Sequence, residues 1–157
     1  MIAAGQKIDT TFLLKVVENG EARTVIFGDL LTRRSIVSVY MKNNTPSCDR
    51  QNDSLAEHAG EFARLGYNLI ALSRDTCGSH LKYAAKKKII HALASDPDDA
   101  FAKAAGSIVE KSMYGKIYEG PARAAFVIGT DGSVLAVIEK IDTKDHAAQL
   151  KAVLASL

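Results

Sequence analysis

Apolar and polar positions along this chain switch between a period of two and a period near 3.6. Thr11–Val17 and Glu21–Phe27 are runs rich in β-branched residues, and Asn19-Gly20 between them is a two-residue hairpin signal. Ser35-Ile36-Val37-Ser38-Val39-Tyr40 and Asn68-Leu69-Ile70-Ala71-Leu72-Ser73 are short, nearly continuous apolar runs, as expected of strands buried on both faces. Between them the spacing becomes helical, with Leu55, Ala59, Phe62 and Leu65 on one face and Gly66 as a C-cap. Arg74-Asp75-Thr76 caps a second helix predicted from about Cys77 to Lys88. A short strand is predicted at Ile89–Ala94, then an acidic-started helix from Asp96 through Ala105. Ser107–Glu119 reads as irregular. Pro121–Gly129 and Ser133–Ile141 flank Thr130-Asp131-Gly132 as a second hairpin, and Asp145–Leu157 closes the chain as an amphipathic helix.

Strands that alternate with helices and finish in an antiparallel pair predict an α/β protein. The expected architecture is a mixed central β-sheet with helices on both faces and an N-terminal β-hairpin. Neither a repeat nor a linker divides the sequence, so residues 1–157 are expected to form one domain.

One junction carries chemistry. The strand ending at Tyr40 runs through Met41-Lys42-Asn43-Asn44 into Thr45-Pro46-Ser47-Cys48. Thr45 suits an N-cap, and Pro46 suits the first helical position, where its missing N–H is not needed. Cys48 then falls in the first helical turn, where unpaired N–H groups and the helix dipole favour a thiolate. The pattern points to Cys48 as a nucleophile, although a lone cysteine is as often an inert core residue. Asp49 beside it is expected to point to solvent, adding favourable charge to the helix start.

Composition narrows the function without choosing it. Twenty Lys and Arg against eighteen Asp and Glu leave a net charge of +2, with no basic excess to suggest nucleic acid. No apolar run reaches the roughly 20 residues of a membrane span. Met1–Asp9 lacks the pattern of a secretory signal, so a reducing, cytoplasmic setting is expected. There two cysteines read as catalytic, redox-sensing or inert rather than as a disulfide scaffold.

Four segments together resemble the peroxiredoxins, a thioredoxin-like fold, and most closely the Q-type, or bacterioferritin-comigratory-protein, branch. They are Thr45–Cys48; Ala71-Leu72-Ser73-Arg74-Asp75 with Ser79-His80; Lys111-Ser112-Met113-Tyr114-Gly115-Lys116; and Arg123–Ile128 with Asp131-Gly132. The resemblance implies that Cys48 attacks the peroxide O–O bond and becomes a sulfenic acid. It implies that Thr45 orients peroxide and thiolate, and that Arg123 favours the thiolate and stabilises developing charge. Tyr40 and Met41 would line the pocket. Such chemistry suits these residue types, since the thiolate is the nucleophile and a fixed guanidinium donates to both oxygens of a breaking O–O bond. No metal or other cofactor is implied. The partners implied are a peroxide and a thioredoxin- or glutaredoxin-like reductant, and the branch suggests a monomer.

Two departures stand out. Met41 occupies the position of a family proline seven residues before the cysteine, where it supplies flexible apolar cover but no fixed backbone. The family's resolving-cysteine positions hold Asp53 and Ala84. Cys77, seven residues before Ala84, is a candidate resolving cysteine, and a small residue at a helix start is the plain alternative. Joining it to Cys48 by a disulfide would require the first helical turn to unwind. These departures support a second reading, a redox sensor or binding protein on a degenerate scaffold. A dithiol oxidoreductase is disfavoured because there is no C-x-x-C.

The remaining features read as structural. His80 is expected at a helix surface or in packing, and His58, His91 and His146 show no catalytic partner in sequence. Lys86-Lys87-Lys88 reads as a solvated helix end, and Tyr114 as packing near the pocket.

Overall fold

The computed structural model describes residues Met1–Leu157. β1 (Leu13–Glu18) and β2 (Glu21–Ile26) form the N-terminal hairpin, and a 3-10 turn (Phe27–Leu30) leads to β3 (Ser35–Val39). Then come α1 (Pro46–Arg64), β4 (Asn68–Ser73), α2 (Cys77–Lys87), β5 (Ala92–Ser95) and the short α3 (Ala100–Ala104). β6 (Ile108–Met113), β7 (Lys116–Pro121), β8 (Ala125–Ile128), β9 (Val134–Ile138) and α4 (His146–Leu154) complete the chain.

Seven strands make one sheet in the order β2-β1-β5-β4-β3-β8-β9. β3, β4 and β5 are parallel neighbours, whereas β1 and β8 join them antiparallel. The central strand β3 is buried at every residue, which explains why its sequence is apolar without alternation. One face buries Leu55, Phe62, Tyr83 and Leu150 from α1, α2 and α4. The other buries Phe27, Leu30 and Phe101 from the 3-10 turn and α3. The sheet thus carries helical cover on both sides, as the element order predicts.

The differences from the sequence reading have local causes. Residues 107–119 are not irregular: β6 and β7 pair as a separate two-stranded ribbon with its turn at Tyr114-Gly115. Both turn residues have positive φ, 52° and 76°, matching Asn19 and Gly20 at 54° and 76°. The backbone is the same kind of turn, but Tyr replaces the usual Asn, and the ribbon lacks an apolar-polar alternation because much of both faces is exposed. The fifth strand starts three residues later than expected. Lys88 takes a left-handed conformation (φ 55°) that ends α2, and Ile90 is exposed. Leu65 and Leu157 are also exposed, because α1 and α4 end before them.

The helix junctions bury three histidines. His80 is fully buried rather than at the surface: Nε2 donates to the Ala94 carbonyl at 3.0 Å, and Nδ1 accepts from Asn43 Nδ2 at 3.1 Å. His146 is equally buried, and neither ring nitrogen of the buried His91 has a partner. Burial lowers the pKa of all three, that of His91 from 6.5 to about 4. A depressed folded-state value means that the unfolded chain binds more protons in this window. Stability is therefore complete above about pH 6.5 and falls as the pH drops toward 4. Denaturant titrations at pH 7.5 and pH 5 should show a loss of about 2 kcal/mol from His91 alone. His91→Leu should remove that part of the pH dependence.

Candidate active site

Parallel pairing brings the C-terminal ends of β3 and β4 to one edge of the sheet, where α1 and α2 begin. Because β8 runs antiparallel to β3, its start lies at that same edge. Ser38 is in register with Ala125, and the Val39 N–H donates to the Ala124 carbonyl at 2.9 Å. Residue 123 therefore stands beside the strand end that leads to Cys48. A separation of 75 residues in sequence collapses to a direct contact: Arg123 Nη2 lies 3.4 Å from Cys48 Sγ.

Cys48 is the third residue of α1 and only 1% exposed. Arg123 is fixed around it by two further contacts, Nη2 to Ser47 Oγ at 3.1 Å and Nη1 to Gln51 Oε1 at 3.5 Å. Gln51 is itself fully buried. Its Nε2 donates to Ser38 Oγ at 2.9 Å and to the Val39 carbonyl at 3.2 Å, which turns Oε1 toward Arg123. Gln149 Nε2 donates to the Lys140 carbonyl and its Oε1 accepts from the Asp142 N–H, so His146 Nδ1 donates to Oε1 at 3.1 Å and His146 Nε2 accepts the Ser38 hydroxyl proton at 2.9 Å. The cation at the sulfur is thus held by a chain of hydrogen bonds reaching α4.

The loop before Cys48 is anchored by Asn43. Its side chain accepts from Tyr40 Oη at 2.6 Å and donates to Ser79 Oγ at 3.1 Å, while its backbone N–H donates to Asp75 Oδ2 at 3.0 Å. Tyr40 is buried against Tyr83, and burial raises its pKa so that its hydroxyl keeps its proton. Its aromatic body packs in the same apolar cluster as Cys48, but its hydroxyl belongs to the loop anchor. Met41 is half-buried, and its Sδ accepts from Lys111 Nζ at 2.7 Å.

Thr45 has the extended backbone of an N-cap (φ −117°, ψ 143°), yet its hydroxyl makes no capping bond. It donates instead to the Lys42 carbonyl at 2.8 Å, which leaves the oxygen's lone pairs free. Asp49 does not face solvent as expected. Its Oδ1 accepts from Tyr83 Oη at 2.7 Å, and Lys87 Nζ lies 3.9 Å from its Oδ2, because α2 packs alongside the start of α1. Lys87 also bonds Asp53 at 3.0 Å, so this part of the lysine run bridges the helices rather than extending into water. Tyr114 is 97% exposed at the β6–β7 turn, away from any packing role near the pocket.

Cys77 is the first residue of α2, half-buried, and packs against the same apolar cluster as Cys48. Both cysteines are free thiols. The hydrogen bonds between the helices run from Asp49, Asn52 and Asp53 to Tyr83 and Lys87, further along α2 than Cys77.

A sheet of this topology with a cysteine at a helix start and an arginine on its sulfur defines a thioredoxin-fold thiol enzyme. The profile of the AhpC/TSA family matches residues 5–137, and the chain belongs to that family, the peroxiredoxins. Peroxiredoxin Bcp of Xanthomonas campestris is 34% identical over 122 residues, 78% of this chain and 74% of the relative. Peroxiredoxin Bcp of Escherichia coli is 30% identical over 118 residues, 75% of this chain and 76% of the relative. A structure of the X. campestris bacterioferritin comigratory protein, described in terms of alkyl peroxide reduction, superimposes with TM-score 0.85 and 27% identity and covers 98% of both chains. This chain is a thiol-dependent peroxidase of the Bcp, or Q, type, acting on peroxides with electrons from a thiol reductant. The degenerate-scaffold reading is not favoured. No helix is long and apolar enough to cross a membrane.

Ser47 and Gln51 are the positions that the sequence reading missed. Gln51 was accessible to it: three residues after Cys48, it shares a helix face with the cysteine. Gln51→Leu removes the acceptor that holds Arg123 and leaves Ser38 and the Val39 carbonyl without a donor. It should lower stability by about 1–3 kcal/mol in thermal or denaturant unfolding. It should also slow oxidation of Cys48 by about tenfold to a hundredfold in single-turnover measurements.

Proposed function

We propose that Cys48 is the peroxidatic nucleophile and that Arg123 and Thr45 position its substrate. The observation that carries this reading is the 3.4 Å contact between Arg123 Nη2 and Cys48 Sγ at the first turn of α1. A guanidinium against the sulfur and a helix N-terminus beneath it place positive charge at the nucleophile, and the thiolate is the form that attacks. Arg123 commits three of its five N–H groups to Cys48, Ser47 and Gln51. A remaining N–H can donate to an oxygen of a peroxide. Thr45, its hydroxyl already donating to the Lys42 carbonyl, accepts from the peroxide O–H.

In the first step the sulfur bonds to the terminal oxygen of ROOH and the O–O bond breaks. Cys48 becomes a sulfenic acid, and the leaving alkoxide takes a proton to become ROH. Arg123 faces the oxygens where the negative charge grows, so its stabilisation is greatest in the transition state. A second thiol then displaces water from the sulfenic acid and forms a disulfide. We assign that thiol to Cys77, supported by its packing on the same apolar cluster as Cys48. The first turn of α1 must unwind for the two to meet. A thioredoxin- or glutaredoxin-like dithiol, in a reducing compartment such as the cytoplasm, would return the electrons to a monomeric enzyme.

Cys48→Ser should abolish peroxide consumption, and Arg123→Ala should lower the rate of Cys48 oxidation by about a hundredfold to a thousandfold. Consumption that survives Cys48→Ser would contradict the assignment. Mass spectrometry of wild-type protein after one equivalent of peroxide should find a Cys48–Cys77 disulfide. A sulfenic or sulfinic acid on Cys48 with Cys77 still reduced would instead show that an external thiol resolves it.

A further inference from the structure

Arg123 is held at the Cys48 sulfur, but a second cation at the site has no counter-ion. Lys111, on β6, places its ammonium 2.7 Å from the Met41 thioether. Burial, followed by repulsion from Arg123 and Arg74, lowers its pKa, while Asp99 and the Cys48 sulfur act in the opposite sense. Neither Lys111 nor Arg123 is in an ion pair with a carboxylate.

The nearby acids are all engaged or point elsewhere. Asp99 is taken by Arg74, Asp49 by Tyr83 and Lys87, and Asp75 by Ser73 and the Asn43 N–H. Glu110 and Glu119 face each other across the ribbon, on the side opposite to Lys111. A thioether is a weak acceptor without charge, so Met41 occupies the ammonium without neutralising it. A carboxylate would exchange this contact for a charge-assisted hydrogen bond.

The same side of the ribbon supplies apolar surface. Val109 and Met113 flank Lys111 along β6, and Tyr118 sits opposite it on β7. All three are exposed. A substrate with a peroxide at one end, an apolar body and an anionic group would meet Arg123, this surface and Lys111 together.

We propose that Lys111 is a specificity residue and that the organic substrates this enzyme prefers are hydroperoxides whose apolar body carries a carboxylate that reaches Lys111. This rests on the peroxidase reading with Cys48 as nucleophile. The carboxylate takes Lys111 from Met41, and the hydroperoxide reaches Arg123 and Cys48 without change to the bond-breaking step.

The test compares cumene hydroperoxide bearing a para-carboxylate with its methyl ester, two substrates of one shape that differ in charge. The ratio of their kcat/KM values is the readout. In the wild type at low salt the acid should be favoured by about fivefold, the scale of a partly exposed ion pair. The ratio should fall toward one at high ionic strength and in Lys111→Gln, and Lys111→Arg should keep it. An acid-to-ester ratio that is the same in wild type and Lys111→Gln would overturn the inference, as would Lys111→Gln slowing both substrates in proportion. Failure of the wild type to turn over hydrogen peroxide or either organic substrate would be a different result, and would overturn the peroxidase reading itself.

Discussion

The contact between Arg123 and Cys48 is the constraint on which the rest of the structure depends. It joins the first turn of α1 to the start of β8, two points that only the sheet brings together. β3 must be paired with β4 on one side and β8 on the other for the loop, the helix start and the arginine to share an edge. Burial of β3 at every residue makes that pairing strict, since a slip in register would move Ala124 away from Val39 and take Arg123 with it.

Polar groups buried in the core refine this placement. Ser38 and Val39 on β3 accept from the Gln51 amide, and His146 on α4 binds Ser38 from the other side, so the orientation of that amide is decided by its surroundings. Asn43 does the same for the loop, drawing together Tyr40, Ser79, His80 and Asp75. Fully satisfied networks of this kind hold a single geometry, and half-satisfied ones are costly in a low dielectric. The site is therefore rigid on the β3–α1–β8 side. Its more exposed wall is the β6–β7 ribbon, which touches it through Lys111 and Met41.

Much of this was legible in the sequence where local chemistry and tertiary structure agree. The continuous apolar run at β3, the Thr45-Pro46 helix start and the Asn19-Gly20 turn each carry a local signal that the fold uses directly. The β6–β7 ribbon was not legible, because its turn places Tyr in a left-handed conformation and its exposed faces carry no alternation. Asp49 and Tyr114 were misread for one reason. Whether a polar side chain meets water or a partner depends on the packing of α2 and on the protrusion of the ribbon, and neither follows from spacing. Arg123 came from family resemblance, since no local pattern links a residue before β8 to a helix 75 residues earlier.

Cys77 shows how far a static arrangement carries the account. It packs on the same apolar cluster as Cys48, yet the hydrogen bonds between α1 and α2 lie further along α2 than the second thiol. In the proposed cycle the catalytic half rests on a formed contact, and the return half on a rearrangement. The most direct test of the central claim isolates the first half, using Cys77→Ser treated with one equivalent of hydrogen peroxide in the presence of dimedone. The account predicts a dimedone adduct on Cys48, formed as the peroxide is consumed. Peroxide consumption with Cys48 left unmodified would contradict it.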